Sequence, residues 1–301
     1  MTSSLMRAIW GKVSARASYL LADCAKLSHA PYRMANDGAR VGTMARQADA
    51  KNGDTTPLPP AIAPVELAKR LELARQPNPE PVERPKLRHF LAEARVVLEP
   101  AKRLFRSLDL PTTDDPQTIM LLPGFATHPI RMKYMAQQLE RAGHTVKRWG
   151  MGFNLGPTEE NVAFLEQRLI EVHERYGRKV VLIGWSLGGL FARELAKRQP
   201  DAVVKVITMG SPFSGNPRAN NAWRVYQFVA GHPVDEPPID GDVREKPPVE
   251  TVAFWSSRDG IVSPSTTKGE AGERDRAVEI DCNHIGFSYS PQCIRAVISE
   301  L

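Results

Sequence analysis

Two short runs of apolar residues constrain the fold of this chain more than any other feature. VVLIGW at 180–185 and VVKVITM at 203–209 are apolar on both alternations, and the amphipathic segment 187–198 lies between them. A strand with one buried and one solvated face would instead place a polar residue at every second position. The two runs therefore predict parallel strands that are covered by helices on both faces.

The same alternation of β-branched runs and longer amphipathic segments extends over residues 117–301. A strand, a helix and a neighbouring strand form the repeating unit of a parallel sheet. The predicted strands are 118–122, 145–149, 180–185, 203–209, 251–255 and 277–280, and the predicted helices are 131–142, 159–176, 187–198 and 290–301. We therefore predict an α/β fold with a mostly parallel, doubly wound sheet of about six strands.

The N-terminal third has a different organisation. Residues 1–50 are predicted to form a basic segment that is helical or partly disordered. Residues 51–115 combine proline-rich stretches, which are typical of extended linkers, with amphipathic helical patterns. One such pattern is an apolar stripe over 87–108, in which Pro100 is expected to kink the helix. The sequence thus predicts a helical N-terminal extension before a catalytic domain at 116–301.

Composition and charge exclude several classes of function. The chain is 42% apolar and 25% charged, which suits an ordinary globular core, and it has a net charge of +6 without a basic block. No nucleic-acid partner is expected, because no binding motif accompanies these charges. No apolar stretch approaches the ~20 residues of a spanning helix. We expect a cytoplasmic protein, and the acid-free residues 1–22 leave peripheral membrane contact through the N-terminal segment open.

Neither a metal nor a cofactor is expected. The three cysteines, Cys24, Cys282 and Cys293, lack metal-ligand spacing, and whether the last two are bridged stays open. Glycines at 150, 152 and 156 match a dinucleotide fingerprint incompletely, because the third is one residue late. The sequence also leaves the oligomeric state open.

The strand–turn–helix at 180–198 contains the pattern G-x-S-x-G at Gly184–Gly188. In this context the pattern predicts a nucleophile elbow, where a sharp turn lifts the Ser186 hydroxyl above the sheet. Small residues on either side let the strand and the helix approach closely. The backbone N–H of Leu187 is then expected to donate to an oxyanion.

A second oxyanion donor is expected from the loop that follows the first predicted strand. This loop has the sequence Pro-Gly-Phe-Ala at 123–126, and the amide of Phe125 is the candidate donor. The Phe125 side chain is also expected to form a wall of the pocket. An ordinary strand-to-helix turn remains the alternative interpretation.

A serine nucleophile needs a base, and the base needs an acid to orient it. Asp259 follows the predicted strand 251–255, and His284 is the only histidine after it in the chain. Chain order therefore predicts Asp259 as the acid and His284 as the base. Asp281 is a rival acid, but its place three residues before the histidine indicates a role in the loop scaffold.

Residues 210–250 leave the strand pattern and are predicted to form a short lid insert over the site. Its aromatic side chains are expected either to line an acyl pocket or to pack beneath the lid itself. The candidate substrate-binding residues in and around the insert are Phe125, Trp185, Phe213, Trp223, Tyr226 and Phe228.

At this point the chain resembles the α/β-hydrolase superfamily, specifically its small bacterial lipase- and esterase-like members. The resemblance spans about residues 117–301 and rests on the segments LLPGF, GWSLGG, VITMGSPFSG, SSRDGIV and CNHIGFSYSP. It implies hydrolysis of a small-molecule carboxylic (acyl) ester through an acyl-enzyme, with Ser186, His284 and Asp259 as the triad. Because no strand pair precedes residue 118, it also implies a reduced form of the α/β-hydrolase fold.

Two other functions remain open on the sequence. The same triad serves acyltransferases, thioesterases and amidases, since these share the acyl-enzyme and differ in the acceptor or in the bond cleaved. A different class is a non-catalytic, membrane-associated scaffold that uses residues 1–30 and the 87–108 stripe. The intact set of serine, aspartate and histidine argues against the scaffold.

Overall fold

The structure, a computed structural model, describes residues 63–78, 81–94, 108–238 and 241–301. Its strands are β1 Thr118–Leu122, β2 Thr145–Arg148, β3 Val180–Trp185, β4 Val203–Met209, β5 Glu250–Trp255 and β6 Arg276–Glu279. Its α-helices are α1 Pro64–Arg75, α2 Leu87–Ala92, α3 Lys133–Arg141, α4 Glu159–Tyr176, α5 Leu187–Arg198, α6 Trp223–Ala230, α7 Pro264–Lys268 and α8 Pro291–Ser299. Among the described residues, 3₁₀-helices cover Pro129–Met132 and Ile285–Ser288.

The strands form one sheet in the order β2-β1-β3-β4-β5-β6, and every neighbouring pair is parallel. The first strand, β1, lies next to the edge strand β2, and the sheet then continues on the other side of β1 through β3, β4, β5 and β6. This arrangement confirms the predicted reduced α/β-hydrolase fold. Parallel strands end at the same edge, so the loops after β1, β3, β4, β5 and β6 meet there.

Alternate residues of β3 pack into two separate hydrophobic layers. Val181 and Ile183 belong to the layer that contains α3 and α8, whereas Val180 and Leu182 belong to the layer that contains α4 and α5. All four side chains are almost fully buried. Complete burial of an aliphatic side chain of this size stabilises the fold by about 1.5–3 kcal/mol. The uniform apolarity of the run thus reflects a sheet covered on both faces.

The helix that follows β2 has the capping pattern its sequence implies. The Thr158 hydroxyl accepts a hydrogen bond from the Asn161 N–H at 3.2 Å, and Glu159 and Glu160 lie in the first turn. Gly177 ends the helix in the left-handed conformation, with φ of 59°. Both ends therefore satisfy backbone groups that the helix leaves unpaired.

The N-terminal helix α1 packs against α6, a helix within the insert. Arg70 donates to the carbonyls of Phe228 and Val229, at 3.2 and 2.5 Å, and Gln227 donates to the Leu73 carbonyl at 2.5 Å. Residues Pro64–Leu301 form one compact unit. The described part of the extension thus contacts the insert directly.

Several predictions about the N-terminal part lie outside the described residues. These include the basic segment 1–50, Cys24 and most of the 87–108 stripe, of which α2 is described. Among the residues that are described, no helix is long and apolar enough to cross a membrane. Cys282 and Cys293 are both buried free thiols, which settles their pairing.

Candidate active site

The turn between β3 and α5 is sharp and sterically closed. Ser186 has φ of 52°, a conformation in which L-residues are strained. A Cβ on Gly188 would lie 2.2 Å from the Leu122 carbonyl oxygen, and one on Gly184 would lie 2.4 Å from the Gly189 Cα. Since these neighbours are rigid backbone, glycine is required at both positions. The predicted strand–turn–helix is therefore present, with Ser186 at the turn.

The loop after β1 passes beside the serine. A Cβ on Gly124 would lie 3.3 Å from the Ser186 Cβ, and Phe125 shares a cavity with Ser186 and Leu187. Leu187 is the first residue of α5, so its N–H has no partner within the helix. The structure thus brings together the serine and both amides that the sequence nominated as oxyanion donors.

Asn154 holds this loop in place, although no sequence motif marks it. Its side chain is buried and donates to the Pro123 carbonyl at 2.8 Å, while its backbone carbonyl accepts from Ala126 N–H at 2.7 Å. Ala126 has φ of 53°, a strained value that these bonds help to maintain. The glycine-rich segment 150–156 therefore braces the β1 loop.

Asp259 and His284 form a buried pair. The Asp259 Oδ2 and the His284 Nδ1 are 2.7 Å apart, and the Asp259 Oδ1 accepts the N–H groups of Ile261 and Val262, each at 2.8 Å. Both carboxylate oxygens are therefore occupied. The rival acid Asp281 is exposed and pairs with Arg258 at 2.6 Å, so it is engaged away from the histidine.

His284 lies at the same edge of the sheet as Ser186. The Trp185 Nε1–H donates to the His284 carbonyl at 3.1 Å, and a Cβ on Gly210 would lie 3.2 Å from the His284 Nδ1. Gly210 directly follows Met209, whose carbonyl accepts the Ser186 N–H at 2.8 Å. The end of β4 is therefore the shared contact of the serine and the histidine.

The environment of His284 favours its charged form. Burial by itself lowers the imidazole pKa, but the Asp259 carboxylate, its hydrogen bond and the Glu93 carboxylate outweigh burial, so the pKa is raised above 6.5. An imidazole with this bias takes up a proton readily. It is suited to the task of a general base.

A cavity of about 360 Å³ opens at Ser186. Its lining is mainly apolar, and carboxylates of Glu194, Asp235 and Asp242 and the Arg244 guanidinium also border it. The principal apolar lining residues are Phe125, Leu187, Leu190, Phe213, Tyr226, Val243 and Ile261. A mainly apolar cleft with few polar groups is typical of a site for a small organic ligand.

Three of the six aromatic candidates line this cavity, namely Phe125, Phe213 and Tyr226, and the structure places the other three elsewhere. Trp185 is buried against His284. Trp223 is buried in α6, with Arg224 stacked on its ring. Phe228, two residues after Tyr226, points away from the face of α6 that Tyr226 presents to the cavity, a distinction that requires the helix to be known. Trp223 lies one turn before Tyr226 on the same side of the helix and is buried outside the cavity lining.

Arg193 fixes the wall of the cavity that contains Phe213. Its guanidinium lies 4.2 Å from the Phe213 ring centroid and donates to the carbonyls of Val243, Arg244 and Glu245 at 3.0–3.1 Å. Burial lowers the Arg193 pKa to about 10. The two ends of the insert are thus tied to helix α5.

One further polar group at the site comes from the N-terminal extension. The buried Glu93 carboxylate accepts N–H groups from the loops that carry Asp259 and His284. No motif marks Glu93 in the sequence, and only its contacts reveal it. Within the described ranges, no cluster of His, Cys, Asp or Glu side chains is arranged to hold a metal ion.

Comparison with known proteins places the chain in a family. A profile of the alpha/beta hydrolase family matches residues 119–279, more than half of the chain. The chain is 31% identical over 113 residues to a pimeloyl-[acyl-carrier protein] methyl ester esterase of Vibrio cholerae; the match covers 37% of this chain and 42% of that protein.

Solved structures with a similar arrangement include two lipases. Paleococcus ferrophilus monoacylglycerol lipase shares 17% identity at a TM-score of 0.45, over 64% of this chain and 95% of that one. Aspergillus fumigatus lipase B shares 16% identity at a TM-score of 0.47, over 62% of this chain and 52% of that one. On the extent of the profile match, the chain belongs to the alpha/beta hydrolase family.

Proposed function

We propose that this protein hydrolyses carboxylic esters through an acyl-enzyme formed on Ser186. The observation that carries the proposal is the buried Asp259–His284 pair, 2.7 Å apart, at the sheet edge where the strained serine lies. Structural ion pairs also occur in cores, but a pair beside a sharply turned serine has the components of nucleophilic catalysis.

In the proposed first step, the Ser186 Oγ attacks the ester carbonyl carbon while the His284 Nε2 takes the hydroxyl proton. Collapse of the tetrahedral intermediate breaks the bond to the alcohol, which leaves with that proton. Water then attacks the acyl-enzyme as His284 takes one of its protons. Collapse of this second intermediate breaks the bond to the Ser186 Oγ, which receives the proton from His284, and the carboxylic acid is released. Asp259 holds the Nδ1–H and stabilises the imidazolium that forms in each step.

The negative charge of the intermediate is assigned to the amides of Leu187 and Phe125. A donor of this kind contributes about 3 kcal/mol to lowering the barrier. Leu187 is suited to the role because α5 adds the positive end of its dipole. The bracing of the β1 loop by Asn154 supports the same role for Phe125, because a donor must be fixed before the charge develops.

We propose an acyl ester of short to medium chain length as the substrate. The cavity of about 360 Å³ lies near the lower end of the range for small-ligand sites. Its apolar lining suits an alkyl chain, and the charged groups that border it suit a polar alcohol or acid terminus. The Vibrio cholerae esterase, a relative by sequence, is named for a methyl ester, which is consistent with a small alcohol.

A panel of p-nitrophenyl esters from acetate to palmitate tests the proposal. We expect turnover to peak at a short or medium chain and to fall for palmitate. Ser186→Ala is the control, and it should reduce kcat by about 10⁴-fold or more. If no ester in the panel is cleaved faster by the wild type than by Ser186→Ala, ester hydrolysis is rejected as the function.

A further inference from the structure

Glu93 is a buried carboxylate whose side-chain hydrogen bonds to described residues serve two loops of the candidate site. Its side chain belongs to a residue that is 5% exposed. Its Oε1 accepts the His284 N–H at 2.8 Å and the Gly260 N–H at 3.1 Å, and its Oε2 accepts the Ile285 N–H at 3.1 Å. One carboxylate thus joins the loop of the acid to the loop of the base.

The cost of burying a charge makes this arrangement informative. A carboxylate removed from water is strongly destabilised unless hydrogen bonds replace its hydration. Here backbone N–H groups replace it, and bonds to a charged acceptor are stronger than bonds between neutral groups. They connect residues that are 167 to 192 positions apart in the chain. A contact between residues so far apart in the chain forms only when the whole site is assembled.

Helix α2 is fitted against the loop of the acid. A Cβ on Gly260 would lie 2.4 Å from the backbone carbonyl of His89 and 2.6 Å from the Phe90 nitrogen. These are backbone atoms, so no larger residue can occupy the position without displacing the helix. The glycine that follows Asp259 therefore admits α2, which ends just before Glu93.

We propose that Glu93 is a positioning residue for the Asp259–His284 pair, so that the N-terminal extension completes the active site. The inference rests on the proposed function of that pair. Glu93 contacts the backbones of the two loops and not the reacting atoms, so it acts through His284 and Asp259. It fixes the backbone that carries the imidazole, and its charge favours the imidazolium.

The ionisable groups around His284 set the expected response to pH. Asp259 and Glu93 both raise the His284 pKa against the effect of burial. Burial also raises the Glu93 pKa, although its bonds to the Ile285 and His284 N–H groups and the charge of His284 oppose that shift. Cys282 and His89, on adjacent elements, also face this cluster. Burial, and then the charges of Arg88, Lys86 and Arg258, lower the pKa of His89. Removing the Glu93 charge should therefore lower the pKa of His284.

The test compares Glu93→Gln, which keeps the size of the side chain and removes the charge, with Glu93→Asp, which keeps the charge and shortens the reach. Glu72→Gln is the matched control, because Glu72 is an exposed acid on α1. Two quantities are measured in the full-length proteins. One is the pKa of His284, followed by NMR and assigned with His284→Gln; the other is kcat/KM for p-nitrophenyl butyrate as a function of pH.

We expect Glu93→Gln to lower the His284 pKa by roughly half a unit or more, and to move the acidic limb of kcat/KM to lower pH by the same amount. The kcat should fall by about 10- to 100-fold, because a small displacement of the base is costly. Glu93→Asp should keep the limb near its wild-type position while kcat falls, and Glu72→Gln should change neither.

An unchanged His284 pKa in a folded Glu93→Gln overturns the proposal, even if that variant melts at a lower temperature. If Glu93→Gln does not fold, the decision rests on Glu93→Asp, and wild-type kcat in that variant overturns it. The NMR titration does not depend on ester cleavage. A protein with the expected pKa shift but no esterase activity would therefore reject the proposed function and retain the electrostatic role of Glu93.

Discussion

The serine and the acid–base pair of this molecule are built by two different kinds of interaction. The serine turn consists of consecutive residues, Gly184–Gly188, whose own steric limits create the strained backbone. The acid–base pair combines Asp259 with His284, 25 positions away, and both loops are joined to Glu93. A local turn can be identified from a short motif, whereas a site assembled over long range depends on the entire fold.

The largest effect is expected from the long-range half of this comparison. Asp259→Asn should lower kcat by about 10⁴-fold, because an amide in place of the carboxylate favours the wrong tautomer of the imidazole. Asp281→Asn provides the matched control, since Asp281 pairs with Arg258 at the surface. Steady-state kinetics with a p-nitrophenyl ester measure both. Equal losses of kcat in the two variants would show that Asp259 is wrongly assigned as the acid.

The second prediction concerns the serine turn, at Gly188. Its added Cβ would meet the carbonyl oxygens of Leu122 and Pro123 at 2.2 and 2.7 Å, so Gly188→Ala should destabilise the fold by about 1–3 kcal/mol or more. Gly152→Ala is the control, because an added Cβ there meets nothing within 4 Å. Thermal melts and urea titrations compare the two. A Gly188→Ala protein as stable as Gly152→Ala would contradict the tight packing of the turn.

The sequence predicts the sheet well because its central strands are largely buried on both faces. The predicted run at 180–185 matches β3, and the other predicted strands agree with the structure to within a residue at each end. The serine, the acid and the base were nominated by local motifs and chain order, and the structure brings them to one edge. Their catalytic roles stay a prediction.

The remainder could not be predicted because it depends on contacts between distant segments. Glu93 lies in no recognisable sequence motif, and it reaches its hydrogen-bond partners only when α2 packs against Gly260. Asn154 lies in a segment that partly matches a glycine-rich fingerprint, and that fingerprint does not include the asparagine. The sequence groups Phe228 with Tyr226 because it does not show that α6 separates their directions, and it does not show that Trp223 lies one turn away from the cavity.

A smaller effect is expected at the β1 loop, which lies beside the serine turn. Asn154→Ala would leave the Pro123 carbonyl without its donor, at a cost of about 1–3 kcal/mol in the free energy of unfolding. Activity should fall about 10-fold or more as the Phe125 amide loses its fixed position. Asn161→Ala is the comparison, since its side-chain bond to the Gly156 carbonyl is long, at 3.3 Å, and partly exposed. An equal loss of stability and activity in both variants would show that Asn154 does not position the β1 loop specifically.

The smallest effect is expected at the contact between α1 and the insert. Arg70→Ala should cost about 1 kcal/mol or slightly more, because it removes two hydrogen bonds to the last turn of α6. Arg75→Ala, an exposed arginine on the same helix, should change stability little. Urea titration measures both. Identical midpoints would show that the Arg70 hydrogen bonds to the insert do not contribute measurably to stability.

The account depends most directly on the reactivity of one hydroxyl, which a fluorophosphonate probe measures without any assumption about the substrate. Peptide mapping after labelling should place a single adduct on Ser186, with none in Ser186→Ala and a much slower reaction in Asp259→Asn. An unlabelled wild-type protein, or an adduct at another residue that persists in Ser186→Ala, would contradict the claim that Asp259 and His284 activate this serine.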